Sequence, residues 1–329
     1  SSRTSLSGSG GRLQFLKSGN GHWSYGGVFV WKTPGLELND IGYLREADQM
    51  LQALWVNYRI WEPKSFYRSI NLSSYQYAGW DFSGNHLLDG LDANGHITFK
   101  NYWNAAAGTN LNYNVISNTM LRGGPVIKMP GNLNSWIQVN TDSRKKLEIE
   151  LELQHSVTFE GSGHNINLQP EIKYKPFNTL SLSFNPSYMV SYDELQYVSQ
   201  TDYGNQTRYI YGSINQKVLS MSFRVNFNLS PDLTLQYWGQ PFVSSGKYND
   251  FKYITDPMAY EYLDRFNIYS SSQISPDGEE RFLIDENIDG SNDYGFNKPD
   301  YNFQEFLSNF VLRWEYNPGS SFYLVWSQS

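Results

Sequence analysis

The run of residues best suited to chemistry is Asp285-Glu286-Asn287-Ile288-Asp289-Gly290-Ser291-Asn292-Asp293. Oxygen-bearing side chains stand at its first, third, fifth and ninth positions, with glycine at the sixth. This is how a calcium loop begins, because alternate spacing lets a tightly turning backbone aim several oxygens at one point. Gly290 permits the sharp turn, and Ser291 offers its backbone carbonyl. Asp285, Asn287, Asp289, Ser291 and Asp293 are therefore the candidate Ca2+ ligands. The twelfth position is Phe296, where such loops carry a bidentate glutamate, so Asp300 or Asp277 would have to complete the shell. Affinity would then fall in the weak range of extracellular modules. The alternative is an acidic surface turn without an ion.

A second constellation is a set of charges that a strand would present on one face. Glu148, Glu150 and Glu152 alternate with aliphatic residues, and Arg59, Glu171, Lys173, Arg224 and Arg313 hold similar positions on other strands. If the strands close around a lumen, these eight residues line it. They then form either a charged pore lining that tunes solute selectivity or an ordinary wet interior with paired charges. The second is favoured, because any barrel of this size needs a polar interior.

Enzyme chemistry is not expected. The five histidines, His22, His86, His96, His155 and His164, form no metal-binding spacing. His155 and Ser156 are strand neighbours and must point to opposite faces. His164 and Ser162 share a parity but sit at a loop tip. Gly8-Ser9-Gly10-Gly11 does not lead from a strand into a helix, so it is no phosphate cradle.

The elements that must position these residues are strands. Lys146 to Gln154 alternates strictly between aliphatic and polar residues. So do Asn165–Lys175, Leu180–Tyr188 and Leu219–Leu229. A period of two gives one apolar and one wet face. The runs have the length of a tilted membrane-crossing strand. Short turns are expected at 62–65, 142–145, 176–179, 230–232 and 317–320, where Pro, Asn, Asp and Gly preset the dihedrals. Long connections are expected at about 35–48, 82–95, 117–132, 192–206 and 244–305. Short turns at one end and long loops at the other are the pattern of outer-membrane barrels.

Aromatics cluster near strand ends: Trp55, Tyr58, Trp61, Trp80, Phe82, Tyr237, Trp238, Trp314, Tyr316 and Trp326. Such rings favour the membrane interface, wet on one side and apolar on the other. The alternative is a soluble sandwich with these rings in its core. Its strands would usually be shorter, and its polar face would not be so uniformly Glu, Asn, Gln and Ser.

The expected fold is therefore all-β: a transmembrane antiparallel β-barrel over 1–329 with about fourteen strands. Residues 244–305 form a long acidic extracellular loop inserted between barrel strands. That loop is a cap or docking surface, or else a plug in the lumen.

Composition narrows the function classes. With 19 Phe, 25 Tyr and 10 Trp, the chain can bury ample apolar surface, so disorder is excluded. The absence of cysteine excludes disulfide frameworks and thiolate metal sites, and suits an exported protein. The net charge is -7. Between Phe251 and Asn302, eleven acids face four bases, and the rest of the chain balances at 21 of each. No basic stripe exists, so nucleic acid is not an expected partner.

Several stretches carry a resemblance. They include Pro34-Gly35-Leu36-Glu37-Leu38-Asn39-Asp40-Ile41-Gly42, Leu121-Arg122-Gly123-Gly124-Pro125, Gln236-Tyr237-Trp238-Gly239-Gln240-Pro241-Phe242 and Arg313-Trp314-Glu315-Tyr316-Asn317-Pro318-Gly319-Ser320. The chain resembles the C-terminal barrel region of a Bacteroidota outer-membrane family of unassigned function. Full-length members of that family carry a domain like carbohydrate-binding module family 9 before the barrel. The resemblance implies a bacterial outer-membrane location and no particular chemistry. It also implies contact with outer-membrane lipid and lipopolysaccharide. Envelope protein partners would be met through the long loops. The chain stops in what reads as mid-strand, at Val325-Trp326-Ser327-Gln328-Ser329, so further strands are expected beyond this stretch.

Overall fold

The alternating runs form strands, as their period requires. The computed structural model describes residues 7–19, 21–38, 44, 46–113 and 115–329. The fold is all-β, with 70% strand and 2% helix. The strands in the first half are β1 (Gly10–Lys17), β2 (Trp23–Lys32), β3 (Gln49–Ile60), β4 (Tyr67–Trp80), β5 (His86–Phe99), β6 (Asn104–Asn112), β7 (Val115–Ser117), β8 (Ile127–Met129), β9 (Asn132–Asn140) and β10 (Leu147–Thr158). Those in the second half are β11 (Gly163–Phe177), β12 (Leu180–Tyr203), β13 (Gln206–Ser230), β14 (Leu233–Ile254), β15 (Phe266–Ile268), β16 (Ile274–Asp277), β17 (Arg281–Ile284), β18 (Tyr294–Asn297), β19 (Tyr301–Asn317) and β20 (Ser320–Gln328).

One large antiparallel sheet runs β1-β2-β3-β4-β5-β6-β9-β10-β11-β12-β13-β14-β19-β20, with β15 paired beside β14. Its edge strands β1 and β20 are not paired with each other. Two small sheets accompany it, β7-β8 and β16-β17-β18.

Successive connections in an antiparallel meander lie at opposite ends. The expected turns at 62–65, 142–145, 176–179, 230–232 and 317–320 all fall at one end, the turn end. The other end, the loop end, carries connections 33–48, 81–85, 113–131, 159–162, 204–205 and 255–300. Within the first of these, residues 39–43 and 45 lie outside the described residues, as does part of the Pro34–Gly42 stretch.

Three loop boundaries differ from expectation. Residues 86–95 belong to β5, leaving only a short turn after β4. Gly90 and Gly95 blur the alternation there: a Cβ at Gly90 would meet the Tyr77 ring at 2.5 Å. Residues 192–206 are the tip of the β12–β13 hairpin, turning only at Gly204-Asn205. Register shifts at Asp193/Gln196 and Tyr197/Ser199 break the period of two, so this strand does not read as one. The long connection starts after Ile254 and ends before Tyr301, so 244–254 and 301–305 are strand and not loop.

Burial is inverted relative to a soluble sheet. On β10, Leu147, Ile149 and Leu151 are 41–48% exposed, while Glu148, Glu150 and Glu152 between them are half-buried. Adjoining β9 and β11 repeat this, with Ile137, Val139, Ile166, Leu168 and Ile172 exposed. Among the described residues, no second layer covers this apolar face. The buried apolar side chains gather at the loop end, in two clusters centred on Tyr211 and Ile210. Exposed aromatics mark the turn end, among them Trp61, Phe66, Phe177 and Tyr316. The ladder register places Trp55 and Trp238 on the polar face instead.

Candidate functional site

The polar face is one continuous surface. Strand pairing sets Glu150 opposite Asn140 and Glu171, Glu148 opposite Lys173, Lys173 opposite Ser183, and Ser183 opposite Arg224. The same register puts Arg59 and Arg313 on this face, so all eight candidate charges share it. They do not form one cluster. Glu148, Glu150, Glu152, Glu171, Lys173 and Arg224 make a stripe across β10–β13, whereas Arg59 and Arg313 stand near opposite edges of the sheet. The Lys173 ammonium donates to Glu171 at 3.0 Å. Gln138 donates to Glu150 at 2.5 Å, and Gln154 to Glu152 at 2.6 Å. Arg59 donates to Asn71 at 3.0 Å, and Arg313 pairs with Glu315 at 2.5 Å.

Beside the charges runs a ladder of amides. Tyr77 donates to Asn112 and accepts from Asn110, Asn112 donates to Asn110 and Asn132, Asn134 donates to Asn132, and Ser156 donates to Asn134. Each amide supplies both a donor and an acceptor, so the chain of bonds runs from β4 to β10 through residues of four strands without charge. Individually ordinary Asn residues gave no sequence signal for this ladder, which exists only through the register.

At the loop end, connection 113–131 packs on the tall β12–β13–β14 region. Leu121 and Ile127 join Leu195, Tyr211, Ile254, Tyr262 and Phe266 in one cluster. The Tyr211 hydroxyl donates to the Met120 carbonyl at 2.7 Å, and the Lys128 amide donates to the Pro257 carbonyl at 2.9 Å. Below this cluster, Lys252 is fully buried. Its ammonium donates to Glu194 and to Ser213, both at 3.3 Å, and Tyr262 donates to the other Glu194 oxygen at 2.9 Å. Burial holds the Lys252 ammonium below its usual range, against the pull of Glu194. Burial first, and then the Glu194 hydrogen bond, push the Tyr262 phenol up.

Between this cap and the polar face lies a cavity of about 700 Å3. Connection 113–131 roofs it through Met120 and Met129, and β10–β14 and β19 form its floor through Asn165, Asp193, Gln216 and Tyr301. No lysine or arginine lines it.

The acidic insert is a folded unit. Strands β16–β18 pack Ile284, Phe282 and Phe296 on Ile210 of β13 and Phe251 of β14. Glu286, inside the acidic motif, is what ties it down. Arg208 grips it with a guanidinium fork at 2.8–3.2 Å, and Tyr294 donates to the same carboxylate. Sequence reading passed over Glu286, because only the fold brings Arg208 to it.

Four of the five candidate calcium ligands, all but Ser291, turn inward on their own backbone. Asp285 accepts from the amides of Asp289 and Gly290, Asn287 and Asp289 accept from Asp289 and Ser291 respectively, and Asp293 accepts from Glu286. The Ser291 amide and the Asn287 side chain hold the Asp289 carboxyl below its ordinary value. Among the described residues, no three acidic or imidazole groups converge as a metal site.

The histidine–serine neighbours do not pair. Ser156 points to the polar face and His155 to the apolar one, as strand alternation requires. Ser162 is buried and donates to the Phe159 carbonyl, while His164 stacks on Tyr192.

A family model described as a domain of unknown function, DUF5916, matches residues 2–329. The chain belongs to the DUF5916 family. No curated protein and no solved structure matches it. In this DUF5916 chain the polar face, the capped cavity and the docked acidic insert are therefore the features from which function must be argued.

Proposed function

We propose that this chain forms a bacterial outer-membrane β-barrel that acts as a structural and interaction component of a cell-envelope complex, docking partners through its loop end. The carrying observation is the inverted burial: an antiparallel sheet whose uncovered face is aliphatic and whose half-buried face is amide and carboxylate. Such a surface is stable where its apolar side meets hydrocarbon. Lipid and lipopolysaccharide are then its immediate surroundings, with an apolar band beside the exposed aromatics of the turn end. An open edge is not tolerated in hydrocarbon, so β1 and β20 pair in the membrane, with each other or with further strands.

The loop end supports the docking reading. β13 has 25 residues, about 80 Å of chain at roughly 3.3 Å per residue, whereas crossing a bilayer takes about 10 residues. The surplus projects outward, and the acidic insert is packed on it as a rigid surface. A second reading, a passive channel for a polar solute such as a glycan, draws on the amide ladder and the charge stripe. Calcium at the Asp285–Asp293 loop remains part of the proposal, as an ion that would reinforce the insert.

The test is the full-length protein refolded into lipid. Heat-modifiable migration together with electrically silent bilayers and co-purifying envelope proteins would support docking. Steady single-channel openings whose selectivity shifts in Glu148→Gln or Glu150→Gln would favour the channel. Failure to insert into lipid would overturn both.

A further inference from the structure

On the polar face, most amides and hydroxyls bond to one another, but four of those lining the capped cavity do not. The amides of Asn165 and Gln196 and the hydroxyls of Thr158 and Tyr248 have no protein partner among the described residues, although all four residues are half-buried. Asp193 uses one carboxylate oxygen to accept from the Leu195 amide at 2.9 Å, leaving the other free. Tyr301, which accepts from Gln216 at 2.6 Å, presents a second phenol to the same space. None of these four groups is sealed from solvent, so each stands open to a ligand that enters the cavity and replaces its water.

We infer that this cavity is a binding site for a neutral, polyhydroxylated ligand, a short saccharide segment. The chemistry of the wall excludes the charged classes. No lysine or arginine lines it to pair with an anion, and the single carboxylate is too little to hold a polycation. Amides and hydroxyls offer donors and acceptors together, as adjacent sugar hydroxyls require. The phenol rings of Tyr248 and Tyr301 are flat apolar surfaces for the C–H face of a pyranose. A volume of about 700 Å3 lies within the range of roughly 300–1,000 Å3 usual for small-ligand sites. The site needs neither a partner protein nor an open pore, so it stands apart from the docking reading.

The experiment is isothermal titration of the full chain, folded by the criterion of heat-modifiable migration. If the chain proves soluble, it is titrated in buffer, so failure of the membrane reading does not decide this one. The probes are maltohexaose, cellohexaose, laminarihexaose and xylohexaose, with hexagalacturonate and chitosan hexamer as charged counterparts. The expected result is saturable binding of at least one neutral hexamer, weakened at least tenfold in Asn165→Leu and in Gln196→Leu. The charged oligomers bind at least tenfold more weakly. Thr158→Val, which keeps side-chain volume, serves if the leucine variants fail to fold, and it weakens binding at least threefold. Binding to none of the neutral hexamers, equal or tighter binding of the galacturonate, or unchanged affinity in the folded variants would overturn the inference.

Discussion

Arg208 and Glu286 lie 78 residues apart and meet as a forked ion pair, three guanidinium contacts at 2.8–3.2 Å with both side chains largely shielded from water. Through this pair the tall β13 strand holds the acidic insert. Tyr294 donates to Glu286 and shares a hydrogen bond with Tyr269, so the pair anchors a network and not a single contact. Glu286→Ala leaves the Arg208 guanidinium unpaired at a cost of about 3 kcal/mol to insert docking. Limited proteolysis should cut 270–300 faster while the body of the sheet stays intact. Unchanged cleavage would mean that the apolar contacts suffice alone.

Ile284 and Ile288 make a controlled comparison within one short segment. Ile284 is fully buried against the hairpin, and Ile288 is exposed at a positive φ of 59°. Ile284→Ala should weaken docking of the insert by about 3 kcal/mol. Ile288→Gly should be neutral to stabilising by up to about 1 kcal/mol, because it relieves a backbone conformation that branched residues resist. Hydrogen exchange across β16–β18 reads both.

Asp289 tests the acidic loop and its ion in one measurement. Its carboxylate accepts from the Ser291 amide and from Asn287. Asp289→Ala therefore loosens 280–300 to proteolysis without added metal. Calcium should protect the parent protein further and leave Asp289→Ala unprotected. Equal protease sensitivity of the parent with and without calcium would remove the ion from the account.

The cap should respond to alkaline pH with a defined sign. Burial raises the phenols of Tyr211, Tyr262, Tyr269 and Tyr294 above the ordinary 10.0. A group whose folded pKa lies above its unfolded value contributes stability that is complete below the unfolded value and lost as pH rises beyond it. The cap is therefore expected to hold up to about pH 10 and loosen above it. Tyrosinate absorbance should show these phenols ionising later than the exposed ones, together with loss of cap protection.

Leu151 and Glu150, neighbours on β10, test the orientation of the sheet. Leu151→Lys puts a charge on the uncovered face and should cost about 2–4 kcal/mol if that face lies near the bilayer midplane. Glu150→Gln keeps a partner for Gln138 and should insert normally. Equal insertion of Leu151→Lys would argue against lipid on that face.

Local chemistry made much of the fold legible. The strict alternation from Lys146 to Gln154 announces a strand with two unlike faces, and Pro318-Gly319 announces the turn between β19 and β20. Parity along each strand assigns Arg59, Glu148, Arg224 and Arg313 to one face once neighbouring strands are in register. The reading failed where local signals are silent. Bulges near Asp193 and Tyr197 disguise the tall hairpin as a loop, and glycines do the same for β5. The acidic motif has the spacing of an ion loop, and its oxygens also accept from its own backbone amides, a fact that spacing alone does not show.

The sequence by itself determined the all-β character, the wet and apolar faces and the end at which each turn falls. These depend on residues a few positions apart, within reach of dihedral preference and side-chain alternation. Only the tertiary structure decided that Arg208 grips Glu286, that Lys252 is buried beneath Tyr262, and that connection 113–131 roofs a cavity. Those relationships join residues far apart in the chain. Strand register and loop packing set them, and these are properties of the whole sheet that no short window of sequence contains.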